Sequence, residues 1–256
     1  MGEHLNAARR AAMLASRHVM PIRRAPWQSH FPEVIVHVPV ATRDAHADYS
    51  AAKAGAHGAS VRLARDLIAD VAVDRLRAVL AGRRPVLVPV RAIETQGVNL
   101  IPDAMAHELA RTFDLTVTTE IVQTNTVGHT RAGGYHRLIF QPTFAGHVER
   151  GADYVMIDDH VGLGGTLANL RGHIEAEGGR VIIATTMSAS RRSEVLALGP
   201  NTLQSLKEKH GQPLEDLVRD QLAFELELLT EAEAGYLLRS ASVDAIRVGM
   251  AEARGA

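Results

Sequence analysis

Valines recur at every second position from Val34 to Val40, in EVIVHVPV. A period of two is the signature of a strand with one buried face, and Pro39 places that strand at an edge or close to its end. Between residues 59 and 80 the period changes. Val61, Leu63, Ala64, Leu67, Ile68, Val71, Leu76 and Val79 fit one stripe of a helix that stops at Gly82. The pattern then alternates. PVLVPV (85–90) reads as a buried strand, 102–113 as a helix and LTVTTEIVQ (115–123) as a strand. After a long segment, 124–151, come a short apolar strand at 154–157, a helix at 165–178 and the strand VIIATTM at 181–187. All-apolar strands alternating with helices predict an α/β fold, a mostly parallel sheet flanked by helices.

The flanks have a different character. Residues 3–19 have helical composition, and Pro21, Pro26 and Pro32 punctuate a connector. Beyond Pro200 the chain reads as helices at 201–210, 213–229 and 230–238, with one more at the end; Thr230 and Glu233 have capping-box spacing. Three regions follow: an N-terminal helix, strand and helix (1–84), an α/β core (85–200) and a helical C-terminal extension (201–256).

Composition narrows the chemistry. The chain has 256 residues, of which 46% are hydrophobic and 22% charged, as in an ordinary globular protein. Its net charge of −1 gives no global pull toward nucleic acid or an anionic membrane. With no cysteine, disulfides, thiolate metal sites and a cysteine nucleophile are excluded. There is no signal-peptide pattern and no apolar run long enough to span a bilayer, so the expected location is the cytoplasm.

The segment YVMIDDHVGLGGT (154–166) holds the most information. A buried strand delivers Asp158 and Asp159 to the edge of the sheet where ligands of open α/β folds bind. Gly162, Gly164 and Gly165 allow backbone N–H groups to close on an anion, and the following helix adds its N-terminal donors and positive dipole end. Thr166 adds a hydroxyl. Carboxylates repel a phosphate but accept hydrogen bonds from a vicinal diol. A phosphate and a diol one sugar length apart describe a ribose 5-phosphate. A dinucleotide fingerprint would place its acid about 20 residues after the glycines instead.

The segment resembles the binding signature of type I phosphoribosyltransferases for 5-phosphoribosyl-1-pyrophosphate (PRPP): apolar strand residues, two acids, a short variable stretch, then Gly-Gly-Thr. The order of elements from 85 to 187 agrees with that family's core, and DYSAAKAG (48–55) is similar to a stretch in an uncharacterised branch of phosphoribosyltransferase-like proteins. The resemblance implies that Asp158 and Asp159 contact the ribose hydroxyls and that Leu163–Leu167, that is Leu163, Gly164, Gly165, Thr166 and Leu167, hold the 5-phosphate. His160, Val161 and Gly162 complete the loop. Leu163 departs from the family, which has Thr or Ser before Gly-Gly, so one hydroxyl donor is lost.

The resemblance also implies a pyrophosphate loop after the first core strand, with Arg91, Thr95 and Gln96 as donors; the alternative is an ordinary loop with a solvated arginine. It implies a lid over 124–150, a stretch that lacks acids until Glu149 and carries Arg131, Arg137, His129, His136, His147 and Gly133-Gly134. Arg131 is the expected lid cation, and HRLIF (136–140) a strand piece within the stretch. The implied reaction displaces pyrophosphate from ribose C1 by a nitrogenous base, with Mg²⁺ near Asp158 and Asp159, directly or through water. The implied partners are PRPP and a small-molecule base, with no nucleic acid or membrane, in a homodimer. A PRPP- or nucleotide-responsive regulator on the same fold is the alternative. Asp44, His46, Asp48 and His57 read as a solvated polar loop, Trp27 and Arg23-Arg24 as packing and surface features, and the C-terminal leucine stripes as core or dimer packing.

Overall fold

The computed structural model describes residues 22–28, 30–94, 97–127 and 133–255. The helix expected over 3–19 lies outside them. In chain order the elements are β1 (Ile35–Val36), α1 (Val40–Asp44), α2 (Tyr49–Lys53), α3 (His57–Leu67), α4 (Asp70–Leu80), β2 (Val86–Pro89), α5 (Ile101–Phe113), α6 (Gly134–Ile139), β3 (Asp153–Val161), α7 (Gly165–Ala176), β4 (Arg180–Ala189), α8 (Pro200–Leu222), α9 (Glu231–Leu238) and α10 (Val243–Gly255). The four strands form one parallel sheet in the order β1-β4-β3-β2. Two short antiparallel ribbons stand apart from it, Ile93–Glu94 with Gly97–Val98 and Val122–Gln123 with Phe144–Ala145.

The central strands β3 and β4 are buried on both faces, and their alternation divides the interior in two. Val155 and Ile157 of β3 join Leu63, Leu76 and Met105 from α3, α4 and α5. Tyr154 and Met156 face the other way, onto Leu167, Leu170 and Ile174 of α7. Each fully buried aliphatic side chain of this kind contributes about 1.5–3 kcal/mol. A third core lies among α8, α9 and α10, closed by Leu138 of α6. No helix among the described residues is long and apolar enough to cross a membrane.

Several elements differ from their expected form. The valine-rich stretch at 33–40 pairs as a strand for only two residues. It is an edge: His37 and Val38 still donate to Thr186 and Met187 carbonyls, but among the described residues no strand lies beyond, and Pro39 turns the chain into α1. The single helix expected at 59–80 is two. It breaks at Ile68 and Ala69, where the Ala69 N–H leaves the helix to donate to His37 Nδ1. The strand expected at 115–123 is reduced to a bridge from Val117 to Leu87 on the outer side of β2, then the ribbon at Val122. HRLIF is helical, because Leu138 is drawn into the third core. The polar loop of Asp44 and Asp48 holds two short helices, pinned by an Arg62 fork on Asp48 at 2.9 and 2.6 Å.

Candidate functional site

The carboxyl end of β3 opens into a cleft of about 320 Å³. Its floor is the acid pair and its far wall the turn from His160 to Leu167. Strand β3 does not end at the acids: it continues to Val161, hydrogen-bonded to β4 through Asp158↔Thr186 and His160↔Ser188. Asp158 and Asp159 are therefore held in a regular ladder, and both are buried. Alternation sends them toward opposite faces of the strand. Asp159 goes toward the N-terminal helices, where Lys53 Nζ donates to its Oδ2 at 2.8 Å. Asp158 Oδ1 accepts the Asp159 backbone N–H at 2.8 Å.

The two acids titrate apart. Burial pushes Asp158 well above the usual carboxylate range, and the charge and hydrogen bonding of Asp159 add to the rise. Burial acts on Asp159 too, but there the Lys53 ammonium and its hydrogen bond, with further hydrogen bonds from Asp158 and Asn99, outweigh it and hold the group below its ordinary value. Asn99 can donate because its Oδ1 is taken by the Ile101 N–H at 3.2 Å. The two neighbouring carboxyls are thus shifted in opposite directions.

The turn is made by backbone. Gly164 sits at φ +84°, in the left-handed region, and starts α7. Gly162 has a different role: a Cβ there would lie 2.5 Å from Arg137 Nη1, so its absence lets the guanidinium come up against the turn. Burial lowers the Arg137 pKa. Behind the turn stands the C-terminal extension. Thr230 Oγ1 donates to the Leu163 carbonyl, and Thr230 is itself the N-cap of α9, in a capping box with Glu233. The Glu233 carboxylate takes Arg24 Nη1 at 2.6 Å and Nη2 at 2.8 Å, with both side chains 1% exposed. Arg24 Nε reaches Asn169 of α7 at 2.9 Å, and Trp27 Nε1 donates to the Leu229 carbonyl. Arg24 is thus a buried strut and not a surface residue.

On the β4 side, His160 spans two hydroxyls, with Nδ1 3.0 Å from Ser188 Oγ and Nε2 3.1 Å from Ser190 Oγ. Arg43 Nη1 donates to Ser188 Oγ at 2.6 Å. Burial, then the Arg43 charge, lowers the His160 pKa and favours the neutral ring.

The expected loop residues from Asp158 to Leu167 all line this cleft. Arg91 does not. Its Nε and Nη2 both donate to Asp103 Oδ1, at 2.9 and 2.5 Å, because α5 presents that carboxylate beside it. Thr95, Gln96, His129 and Arg131 lie outside the described residues. Sequence reasoning gave no role to Arg43, Tyr49, Lys53, Asn99 or Gln123, which also line the cleft. The signal at hand was DYSAAKAG, whose lysine is the one that reaches Asp159.

The chain is 41% identical to protein TraN of Escherichia coli over 231 residues. The match covers 90% of this chain and 51% of TraN. An uncharacterised protein of Haemophilus influenzae is 36% identical over 154 residues, 60% of this chain and 34% of that protein. The chain thus spans about half, or a third, of the length of these curated relatives. No protein-family model matches it. Among solved structures, adenine phosphoribosyltransferase of Saccharomyces cerevisiae is similar at a TM-score of 0.35 and 14% identity, over 50% of this chain and 69% of that one. A purine phosphoribosyltransferase of Pyrococcus horikoshii is similar at 0.30 and 18%, over 47% and 80%.

Proposed function

We propose that this cleft binds PRPP and that the chain transfers its phosphoribosyl group to a nitrogen acceptor. The supporting observation is the pairing, within one cleft, of a buried carboxyl pair with a glycine turn that opens a helix. The turn offers N–H donors and a helix N-terminus to a 5-phosphate. The carboxyls offer acceptor oxygens to a ribose diol.

The transfer breaks the bond from C1 to the pyrophosphate oxygen and forms one from C1 to nitrogen. The acceptor's proton leaves to solvent or base. Positive charge develops on the ribose ring, and a buried carboxylate such as Asp159 stabilises it. Lys53 keeps that carboxylate ionised, and Arg43 and Arg137 supply positive potential along the cleft wall.

Magnesium fits this donor set in one way. Among the described residues no group of three or more acids and histidines could cage an ion by itself. Mg²⁺ needs only one or two carboxylates when substrate phosphates and water complete its octahedron, and Asp158 and Asp159 supply those. Bound there, it would neutralise charge on the pyrophosphate.

Incubation with PRPP, Mg²⁺ and a panel of nitrogenous bases, followed by pyrophosphate release, tests turnover. Base-dependent release supports transfer. The position of Arg91, turned to Asp103 and away from the cleft, favours a second reading: a regulator that binds PRPP without turnover. Tight binding with no release for any base would select it.

A further inference from the structure

A second cleft, of about 480 Å³, lies on the other side of the glycine turn. It shares Arg137, Gly162 and Leu163 with the first and is otherwise lined by Gly134 of α6, the loop after β4, and α9 with the residue that follows it. Its lining carries four arginines against one acid. Arg191, Arg192 and Arg239 converge on it beside Arg137. Elsewhere several exposed arginines are paired, as Arg62 is with Asp48, Arg180 with Asp153 and Arg219 with Glu225. Arg191, Arg192 and Arg239 have no carboxylate within ion-pairing distance among the described residues. The one acid in the lining, Glu231, is engaged elsewhere: it accepts the Gly199 N–H at 2.9 Å and the Thr202 hydroxyl at 2.5 Å.

The Arg191, Arg192 and Arg239 guanidinium groups repel one another, and an anion in their midst reverses the sign of that interaction. The loop itself holds Arg192 at φ +64°, a left-handed conformation that a branched-off side chain adopts at a cost, and it is fixed by the Ser193 N–H to the Ser190 carbonyl. Ser190 and Ser193 add hydroxyls to the lining. Several fork-shaped donors with hydroxyls between them match the tetrahedral, dianionic oxygens of a phosphate ester better than a single carboxylate.

We propose that this cleft is a second anion site, and that it takes the phosphate group of a small phosphorylated molecule. Ser190 also meets His160 Nε2, so one side chain adjoins both clefts. The proposal stands on the arginine cluster and does not depend on the identity of the ligand in the first cleft.

Backbone amide NMR separates the two sites. Ser190, Ser193 and Gly235 report on the second cleft, and Gly164, Gly165 and Thr166 on the first. The full chain is titrated with inorganic phosphate, then with ribose 5-phosphate, beside the Arg191→Ser/Arg239→Ser double variant. Both substituted arginines are exposed, so the variant keeps its fold. The expected result is saturable shifts at Ser190, Ser193 and Gly235 that weaken at least tenfold in the variant, while the turn amides titrate as before. Silent amides at those three positions, or a variant that titrates like the parent, would overturn the proposal. Shifts at the second cleft with the turn amides silent for both probes would uphold it and would count against the PRPP reading of the first.

Discussion

The acid pair and the glycine turn adjoin on one strand–turn–helix unit, yet they are secured by different means. The turn presents backbone N–H groups, and its shape is propped from behind by a buried ion pair between the N-terminal connector and α9. The acid end presents side chains whose charge is set by residues far away in the chain, Lys53 above all. A backbone site keeps its donors when side chains change and fails when its support goes. A side-chain site keeps its shape when a partner is removed and loses its electrostatics.

The largest effect should come from the support of the turn. Glu233→Ala leaves the Arg24 guanidinium buried without its counter-ion and removes half of the capping box. Breaking a buried pair in this way costs about 3–5 kcal/mol, measurable as a shift in denaturant midpoint at constant slope. A loss of under about 1 kcal/mol, within the range of an exposed pair, would mean that the prop is dispensable.

At the acid end, Lys53→Met should cost about 1–3 kcal/mol near pH 8, the range for stranding a charged hydrogen-bond partner. The sign of its pH dependence is specific. Lys53 holds the folded-state pKa of Asp159 below its unfolded value, so its contribution is present above the unfolded value and fades as pH falls through the folded one. Without Lys53, burial raises Asp159 instead, and the variant should recover stability relative to the parent as pH is lowered toward the carboxylate range. Parallel pH profiles for the two proteins would remove Lys53 from its assigned role.

Thr166→Ala should be the mildest. Its hydroxyl is one donor among several, and the backbone N–H groups of the turn remain. Ribose 5-phosphate affinity should fall by about a factor of ten or less, in line with the loss of one ordinary hydrogen bond. A larger loss would shift the weight of phosphate binding from backbone to side chain.

The same contrast explains what could be read in advance. The turn is contiguous, and strand, acids, glycines and helix start appear in order between residues 154 and 176. The period-two and all-apolar patterns located the parallel sheet because β3 and β4 are buried on both faces. The edges were harder. A valine alternation at 33–40 carries the chemistry of a strand, but how far it pairs depends on whether a neighbour exists. HRLIF became a helix because Leu138 fits a core built almost a hundred residues downstream. Arg24 looked like a solvated residue, since nothing local shows that Glu233 will meet it. Lys53 sits in the DYSAAKAG stretch, but its reach to Asp159 follows from the tertiary packing that brings α2 to β3. Nothing local to Gly162 shows that Arg137 will come up against the space its missing side chain leaves.

The central claim, that this cleft is a PRPP site, is tested most directly by calorimetric titration of the full chain with PRPP, with and without Mg²⁺, beside Asp158→Asn. The account predicts saturable, Mg²⁺-strengthened binding that weakens by about 10- to 100-fold in the variant, the scale of losing one or two hydrogen bonds to the diol. It also predicts that the variant without ligand is at least as stable as the parent, because Asn replaces a carboxyl whose ionisation burial opposes. No heat of binding from a folded protein, or equal affinity in Asp158→Asn, would contradict it.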